Sequence, residues 1–187
     1  MSFMNWTSVL HSGRASVRQI LLLACMAPAL LLQTPAFAQS ADPLPAPEGP
    51  VILTVAGNVG VTNGDSGAAF DRQMFNDVGT TELRTSTPWL DGVQVFKGVL
   101  AKTLFERVAA QGTTVVATAL NDYKVSIPME DFLNYDVLLA TEMNGEEMKV
   151  SDKGPIWIVY PRDDHPELQE RRVSERWVWQ LKALEVQ

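Results

Sequence analysis

Residues 118–162 contain, in order, the segments TALNDYKVSIPMEDF (118–132), VLLATEMNGEEMKV (137–150) and KGPIWIVYPR (153–162). Asn144 and Gly145 lie between two runs that contain apolar residues, and both tolerate the positive φ that a type I′ turn requires. They therefore predict a β-hairpin. The run 156–160 is apolar and rich in β-forming residues, which predicts a buried strand.

Short strands and short helices alternate through the rest of the chain. Strands are predicted at 51–56, 82–87, 93–96 and 113–120, and a closing strand is predicted from the alternation of Trp177, Trp179 and Leu181 with their neighbours. Helices are predicted at 70–78 with Asp71 as N-cap, at 100–108, and from Pro128 onward. Many short strands with two or three short helices predict an α+β, β-dominated domain.

Several of these segments resemble the oxidoreductase molybdopterin-binding domain of the sulfite oxidase superfamily. The resemblance rests on LLATEMNGE (138–146) and GPIWIVYP (154–161), and it extends to WLDG (89–92), FKGVL (96–100) and the pair Arg176-Trp177. It implies a layered, mixed β-sheet domain with peripheral helices. It covers most of the chain after residue 38.

The first 38 residues have the features of a signal peptide. Arg14 and Arg18 form a positive region, 20–32 is apolar, and the small-x-small motif that ends at Ala38 predicts cleavage after that residue. The alternative is a lipoprotein modified at Cys25. Cleavage predicts a periplasmic or secreted protein, with a Pro-rich tether at 39–50, one domain at 51–187, and no integral membrane segment after cleavage.

Charge and cysteine content exclude several classes of function. Residues 39–187 contain 13 Lys plus Arg and 22 Asp plus Glu, a net charge of −9. This balance argues against binding to nucleic acids. The single cysteine, Cys25, lies in the predicted signal peptide, so the mature chain has no disulfide and no thiolate ligand.

Two motifs invite a catalytic or metal-binding interpretation. Gly64-Asp65-Ser66-Gly67 matches the tetrapeptide around a trypsin-like nucleophile, but such chemistry needs a histidine base, and the mature chain contains only His165. We expect a loop. Asp163-Asp164-His165 offers oxygen and nitrogen ligands, but adjacent residues rarely converge on one metal ion. We expect a solvated acidic loop and no metal site.

The resemblance also implies a cofactor. In sulfite oxidase relatives, molybdenum is held by the dithiolene of a pterin and by one protein cysteine, and cationic side chains bind the phosphate of the pterin. The segment in which the family places that cysteine is 83–89 here, LRTSTPW, and it contains none. We therefore expect no cofactor, and molybdopterin is the alternative.

Five residues are candidates for ligand or cofactor binding. Arg162 and Arg176 stand where the family has basic residues, and Tyr123 lies near the place of a family active-site tyrosine. Trp89 lies at a Pro-bounded turn, and Lys153 precedes the buried strand. No catalytic residue is assigned.

Three functions remain open. The first is a non-redox member that binds a small ligand, or a periplasmic or membrane-bound sensor or redox partner. The second is a molybdopterin-dependent oxidoreductase that holds its cofactor without a protein thiolate. The third is a structural subunit whose groove is filled. The missing cysteine favours the first, because a hydroxyl is a far poorer ligand than a thiolate.

Overall fold

The computed structural model describes residues 42–187, which form ten strands and four short α-helices. The strands are β1 (Val51–Gly57), β2 (Ala68–Asp71), β3 (Thr80–Ser86), β4 (Val93–Leu100), β5 (Thr114–Ala119), β6 (Lys124–Pro128), β7 (Leu138–Met143), β8 (Glu146–Glu147), β9 (Trp157–Val159) and β10 (Leu181–Val186). The helices are α1 (Arg72–Asp77), α2 (Ala101–Arg107), α3 (Met129–Asn134) and α4 (Arg171–Ser174), and a 3-10 helix covers Pro166–Gln169. The predicted α+β, β-dominated fold is confirmed, with one more helix than expected. The predicted signal peptide, 1–38, lies outside the described residues.

The strands form two five-stranded sheets. The first has the order β2-β1-β10-β5-β6, and its β1 and β10 run parallel while its other pairs are antiparallel. The second has the order β3-β4-β7-β8, with β9 paired to β7, and all its pairs are antiparallel. The first sheet is therefore mixed, as the family resemblance implies.

One hydrophobic cluster joins both sheets and all four α-helices. It includes Leu53 of β1, Phe75 of α1, Leu104 of α2, Phe132 of α3 and Leu139 of β7, all of them fully buried. In β5 every second residue is buried, so this strand has one face in the core. All three residues of β9 are buried, and this explains its unbroken apolar sequence.

The predicted hairpin is present, whereas the predicted closing strand starts later than expected. Asn144 and Gly145 have φ values of 54° and 83°, as expected for the turn between β7 and β8. The closing strand begins only at Leu181, so its predicted start at Trp177 was wrong. Gln180 has a φ of 50°, and this left-handed conformation interrupts the extended chain before β10.

Asp71 caps α1, as predicted, and also holds the segment before β1. Its Oδ1 accepts a hydrogen bond from the backbone N–H of Met74 at 2.9 Å. Its Oδ2 accepts from the backbone N–H groups of Glu48 and Gly49 at 2.8 and 2.9 Å. These donors, led by Met74, hold the pKa of Asp71 below its ordinary value.

We predict that Asp71→Asn makes the protein less sensitive to acid. A lowered pKa in the folded state means that the ionised carboxylate contributes stability above the unfolded pKa of roughly 3.9, and that this stability is lost as the pH falls through the folded pKa. The measurement is the urea midpoint at pH 7 and at pH 3. The urea midpoint of the wild type should fall more from pH 7 to pH 3 than that of Asp71→Asn. The midpoint of the control variant Asp77→Asn should fall as much as that of the wild type. Equal losses in all three proteins would contradict the prediction.

The described part of the Pro-rich segment lies against the domain. The guanidinium of Arg107 donates to the carbonyl oxygens of Asp42 and Pro43 at 2.8 and 3.3 Å, and the side-chain amide of Asn63 donates to the carbonyl of Pro45 at 2.7 Å. Leu44 packs against the core. Residues 42–49 are thus bound to the domain at several points along their length.

Candidate functional site

Four tryptophans meet beside β9. The ring of Trp89 has centroid distances of 6.1 Å to Trp157, 5.7 Å to Trp177 and 5.4 Å to Trp179. Trp157 and Trp177 are buried, whereas Trp89 is 41% exposed and Trp179 is 38% exposed. We call these four residues the tryptophan cluster. Half of it belongs to the core, and the other half presents aromatic surface to solvent.

Local hydrogen bonds position the two exposed rings. The Thr87 hydroxyl accepts from the backbone N–H groups of Trp89 and Leu90 at 3.2 and 3.0 Å, so a threonine-centred turn follows β3. The segment that carries Trp179 is held beside β9, because the N–H of Ile158 donates to the carbonyl of Val178 at 2.9 Å. The segment of Trp179 is thus hydrogen-bonded to the second sheet, whereas Trp89 is held by a local turn that follows β3.

An open groove of about 420 Å³ lies against the tryptophan cluster. Its lining combines aromatic and polar side chains from three parts of the chain, and it comprises Trp89, Ala119, Asn121, Tyr123, Arg171, Ser174, Glu175, Trp177, Val178 and Trp179. Tyr123 is 47% exposed, and its hydroxyl donates to the backbone carbonyl of Glu175 at 3.2 Å. This bond joins the turn between β5 and β6 to the end of α4.

Lys153 lies on the other side of the exposed tryptophans. Trp89 and Trp179 also line a second, shallower recess of about 330 Å³ together with Asp152 and Lys153. The Lys153 ammonium is 5.5 Å from the ring centroid of Trp157 and 2.9 Å from the Asp152 carboxylate. Of the five residues predicted to bind a ligand, the structure thus brings Trp89 and Tyr123 together in the groove, with Lys153 beside it.

Arg176 is directed into a buried network instead. Its Nη1 is 2.5 Å from Oδ2 of Asp131, which also accepts a hydrogen bond from the Tyr160 hydroxyl at 3.0 Å. Burial and the Asp131 carboxylate raise the pKa of Tyr160 well above its ordinary value, so the phenol remains a donor at any physiological pH. Arg176 does not line the groove.

Arg162 belongs to a third cluster, at the end of β3. Its Nη1 donates to the hydroxyl of Ser86 at 2.9 Å. The Asp163 carboxylate accepts from the Ser86 hydroxyl at 2.5 Å and from the Ser86 backbone N–H at 2.6 Å. We call Ser86, Arg162 and Asp163 the serine latch, because they join β3 to the segment after β9. Arg162 does not line the groove either.

We predict that Asp163→Ala lowers the free energy of unfolding by about 1–2 kcal/mol, because two hydrogen bonds to a charged acceptor are lost. The matched control is Asp164→Ala, an exposed neighbour whose change should stay within about 0.5 kcal/mol. Urea unfolding followed by circular dichroism measures both. Similar losses in the two variants would contradict a latch.

The two remaining sequence motifs have structural roles or none. Gly64 and Gly67 form an isolated bridge that closes a turn around Asp65 and Ser66. The His165 ring packs against Tyr135 with centroids 4.9 Å apart. Within residues 42–187, no three side chains of the His, Cys, Asp and Glu types gather into a potential metal site. Nor does any helix in this range combine the length and apolar character of a membrane span.

Comparison with known proteins identifies the family. The family model described as the oxidoreductase molybdopterin binding domain matches residues 70–163. The chain belongs to this family. Among solved structures, this chain is similar to a chain of the sulfane dehydrogenase SoxCD from Paracoccus pantotrophus, with a TM-score of 0.49 and 20% identity over 72% of this chain. The match covers 37% of the SoxCD chain, so this chain corresponds to only a part of that chain's length. No curated protein matches the present chain.

The residues of this family member do not fit a molybdenum centre. In the segment 83–89, where the resemblance places the ligating cysteine, the hydroxyl groups of Thr85, Ser86 and Thr87 are all engaged in hydrogen bonds within the chain. The Asp163 carboxylate, which binds Ser86, would repel an anionic dithiolene group. The matching cations Arg162 and Arg176 are bound to Ser86 and Asp131.

Sequence reasoning missed most of the polar lining of the groove. Asn121, Arg171, Ser174 and Glu175 lie in polar or highly charged stretches of the sequence, and no pattern there distinguishes groove-facing side chains from solvated ones. The four tryptophans are numerous for a domain of this size, although large aromatic side chains usually lie in the core. The signal that could have found the groove was the concentration of tryptophan near residue 178.

Proposed function

We propose that this domain is an exported, non-redox member of the molybdopterin-binding domain family that binds a small planar ligand in the groove beside the tryptophan cluster. The single observation that carries the proposal is the exposure of Trp89, Tyr123 and Trp179 around one open groove. Exposed aromatic surface is unfavourable in water, and its convergence in one concavity is typical of binding sites.

The size and chemistry of the groove support a small ligand. A volume of about 420 Å³ falls within the range of pockets that bind small molecules. Aromatic rings supply contact area at little cost in side-chain entropy, and Asn121 and Arg171 supply polar groups that would orient the ligand. A structural subunit with a filled groove would not leave this surface open.

Two measurements on one sample test the proposal against its alternatives. Protein purified from the periplasm of a host that makes molybdopterin is analysed for molybdenum and pterin, and its melting temperature is measured with a panel of aromatic and heteroaromatic compounds. We expect less than stoichiometric metal and a rise in melting temperature with some planar compounds. Stoichiometric molybdenum would support the oxidoreductase alternative. If neither metal nor any compound binds, the structural-subunit alternative is favoured.

A substitution in the cluster locates the site. Trp89→Leu is expected to weaken binding of the best compound about tenfold, because one aromatic wall of the groove is lost. Val93→Ala is the matched control, since Val93 is 56% exposed and lines no part of the groove. Tryptophan fluorescence titration gives both affinities. Unchanged affinity in Trp89→Leu would place the ligand elsewhere.

Export and partner binding belong to the same proposal. Cleavage after Ala38 would give a mature chain that begins at Gln39, and mass spectrometry of the periplasmic protein tests this against a lipid-modified Cys25. A periplasmic or membrane-bound sensor or redox protein is the predicted partner. The net charge of −9 after residue 38 disfavours nucleic acid as a partner.

A further inference from the structure

We infer that the groove selects a small zwitterion that carries an apolar ring, of which the aromatic α-amino acids are the simplest representatives. This inference rests on the proposed function and assigns a chemical class to its ligand. It comes from two opposite charges, Arg171 and Glu175, that line the same groove as the tryptophan rings.

The geometry of α4 places the two charges one helical turn apart. Arg171 begins the helix, and Glu175 follows its last residue with helical φ and ψ of −69° and −17°. Residues four apart lie on the same face of a helix. Both side chains therefore border the groove at neighbouring positions, with Ser174 between them in sequence and also in the lining.

Arg171 and Glu175 do not neutralise each other. Among the ion pairs of residues 42–187, neither side chain comes within 4 Å of an opposite charge, whereas the adjacent Arg172 and Glu170 pair at 2.7 Å. An arginine that precedes a glutamate by four residues is the weaker orientation of such a pair. An exposed pair contributes little in any case, so a ligand competes easily for both groups.

The remaining lining complements the non-polar part of such a ligand. The rings of Trp89, Trp177 and Trp179 form one aromatic wall, in which neighbouring centroids lie 5.4 and 5.7 Å apart. The side-chain oxygen of Asn121 accepts from the backbone N–H of Tyr123 at 3.1 Å, so its amide group can donate into the groove. A carboxylate would bind Arg171 and Asn121, an ammonium would bind Glu175, and a ring would pack on the wall.

The test compares four probes that share one benzene ring. L-phenylalanine carries both charges, 3-phenylpropanoate lacks the ammonium, 2-phenylethylamine lacks the carboxylate, and benzyl alcohol is neutral. We expect L-phenylalanine to bind about tenfold more tightly than either singly charged probe, because each charge-assisted hydrogen bond contributes about that factor. Isothermal titration calorimetry measures the four affinities, with the protein that begins at Gln39.

Two variants show which side chain binds the carboxylate of the probe and which binds its ammonium group. Arg171→Gln should remove the advantage of L-phenylalanine over 2-phenylethylamine. Glu175→Gln should remove its advantage over 3-phenylpropanoate. The matched controls are Arg172→Gln and Glu170→Gln, which change the neighbouring exposed pair and should leave the order of the probes unchanged. All four positions are exposed, and melting temperatures check that each variant folds.

The outcomes separate this inference from the proposed function. If benzyl alcohol binds as tightly as L-phenylalanine, the groove binds rings without regard to charge, and only the zwitterion inference fails. If none of the four probes binds but another planar compound does, the inference fails and the proposed function stands. If no planar compound of any charge binds, both fail.

Discussion

Replacing Trp157 by alanine is expected to lower the free energy of unfolding by about 4 kcal/mol, the largest effect of any single change considered for this domain. Trp157 is fully buried in β9, and its ring packs edge-to-face on Phe96 at a centroid distance of 5.4 Å and on Trp177 at 6.0 Å. Truncation removes these contacts and leaves a cavity that the two sheets cannot close. Urea unfolding followed by far-ultraviolet circular dichroism measures the loss.

The same substitution at Trp179 is the matched control for Trp157→Ala. Trp179 belongs to the same cluster but is 38% exposed, so its loss should cost less than half as much. Trp179→Ala should instead weaken ligand binding, because that ring lines the groove. Equal losses of stability in the two variants would show that the cluster is buried as one unit and is not a binding surface.

Asp131→Ala is expected to destabilise the domain by about 3–4 kcal/mol. The carboxylate of Asp131 binds two groups in the network, the guanidinium of Arg176 and the hydroxyl of Tyr160. Removing the carboxylate leaves the largely buried charge of Arg176 and the buried hydroxyl of Tyr160 without this acceptor. An unpaired buried group costs more free energy than the ion pair or hydrogen bond itself contributes. Chemical denaturation gives the value, and Asp136→Ala, which breaks the exposed pair with Lys102, should change it by no more than about 1 kcal/mol.

A double variant distinguishes two contributions to stability. One is the destabilisation by an unpaired Arg176, and the other is the stabilisation by its ion pair with Asp131. Asp131→Leu combined with Arg176→Met replaces both charged groups by apolar ones of similar size, and we expect it to recover much of the loss. If the double variant is as unstable as Asp131→Ala, the network stabilises the fold directly. Either result also bears on Arg176, whose contacts predict a role in stability rather than in ligand binding.

The sequence predicts this fold well wherever local chemistry decides the conformation. Asn144 and Gly145 specify their hairpin because few other residues adopt positive φ at low cost. Asp71 is predictable as an N-cap because a short polar side chain directly before a helix can accept hydrogen bonds from the free backbone N–H groups of the first turn. The start of β10 was not predictable, because the left-handed conformation of Gln180 is imposed by its surroundings and not by its own propensity.

The candidate site is less predictable, because it depends on which side chains meet across the fold. Arg162 and Arg176 match the family pattern, but each has acquired a partner inside this chain, in Ser86 and Asp131. Trp89 and Tyr123 do line the groove. Arg171 carries no distinguishing sequence signal, since it is one of many charges between residues 162 and 175.

The parallel pair β1–β10 has a consequence for how the chain is made. β10 is the last strand of the described chain, yet it lies at the centre of the first sheet, between β1 and β5. Until it emerges from the ribosome, that sheet exists only as the separate pairs β2-β1 and β5-β6, and isolated two-stranded pairs are marginally stable. Closure also requires contacts between the two ends of the domain, which form slowly. The first sheet therefore cannot be completed before β10 has been synthesised, although all of its other strands are made earlier.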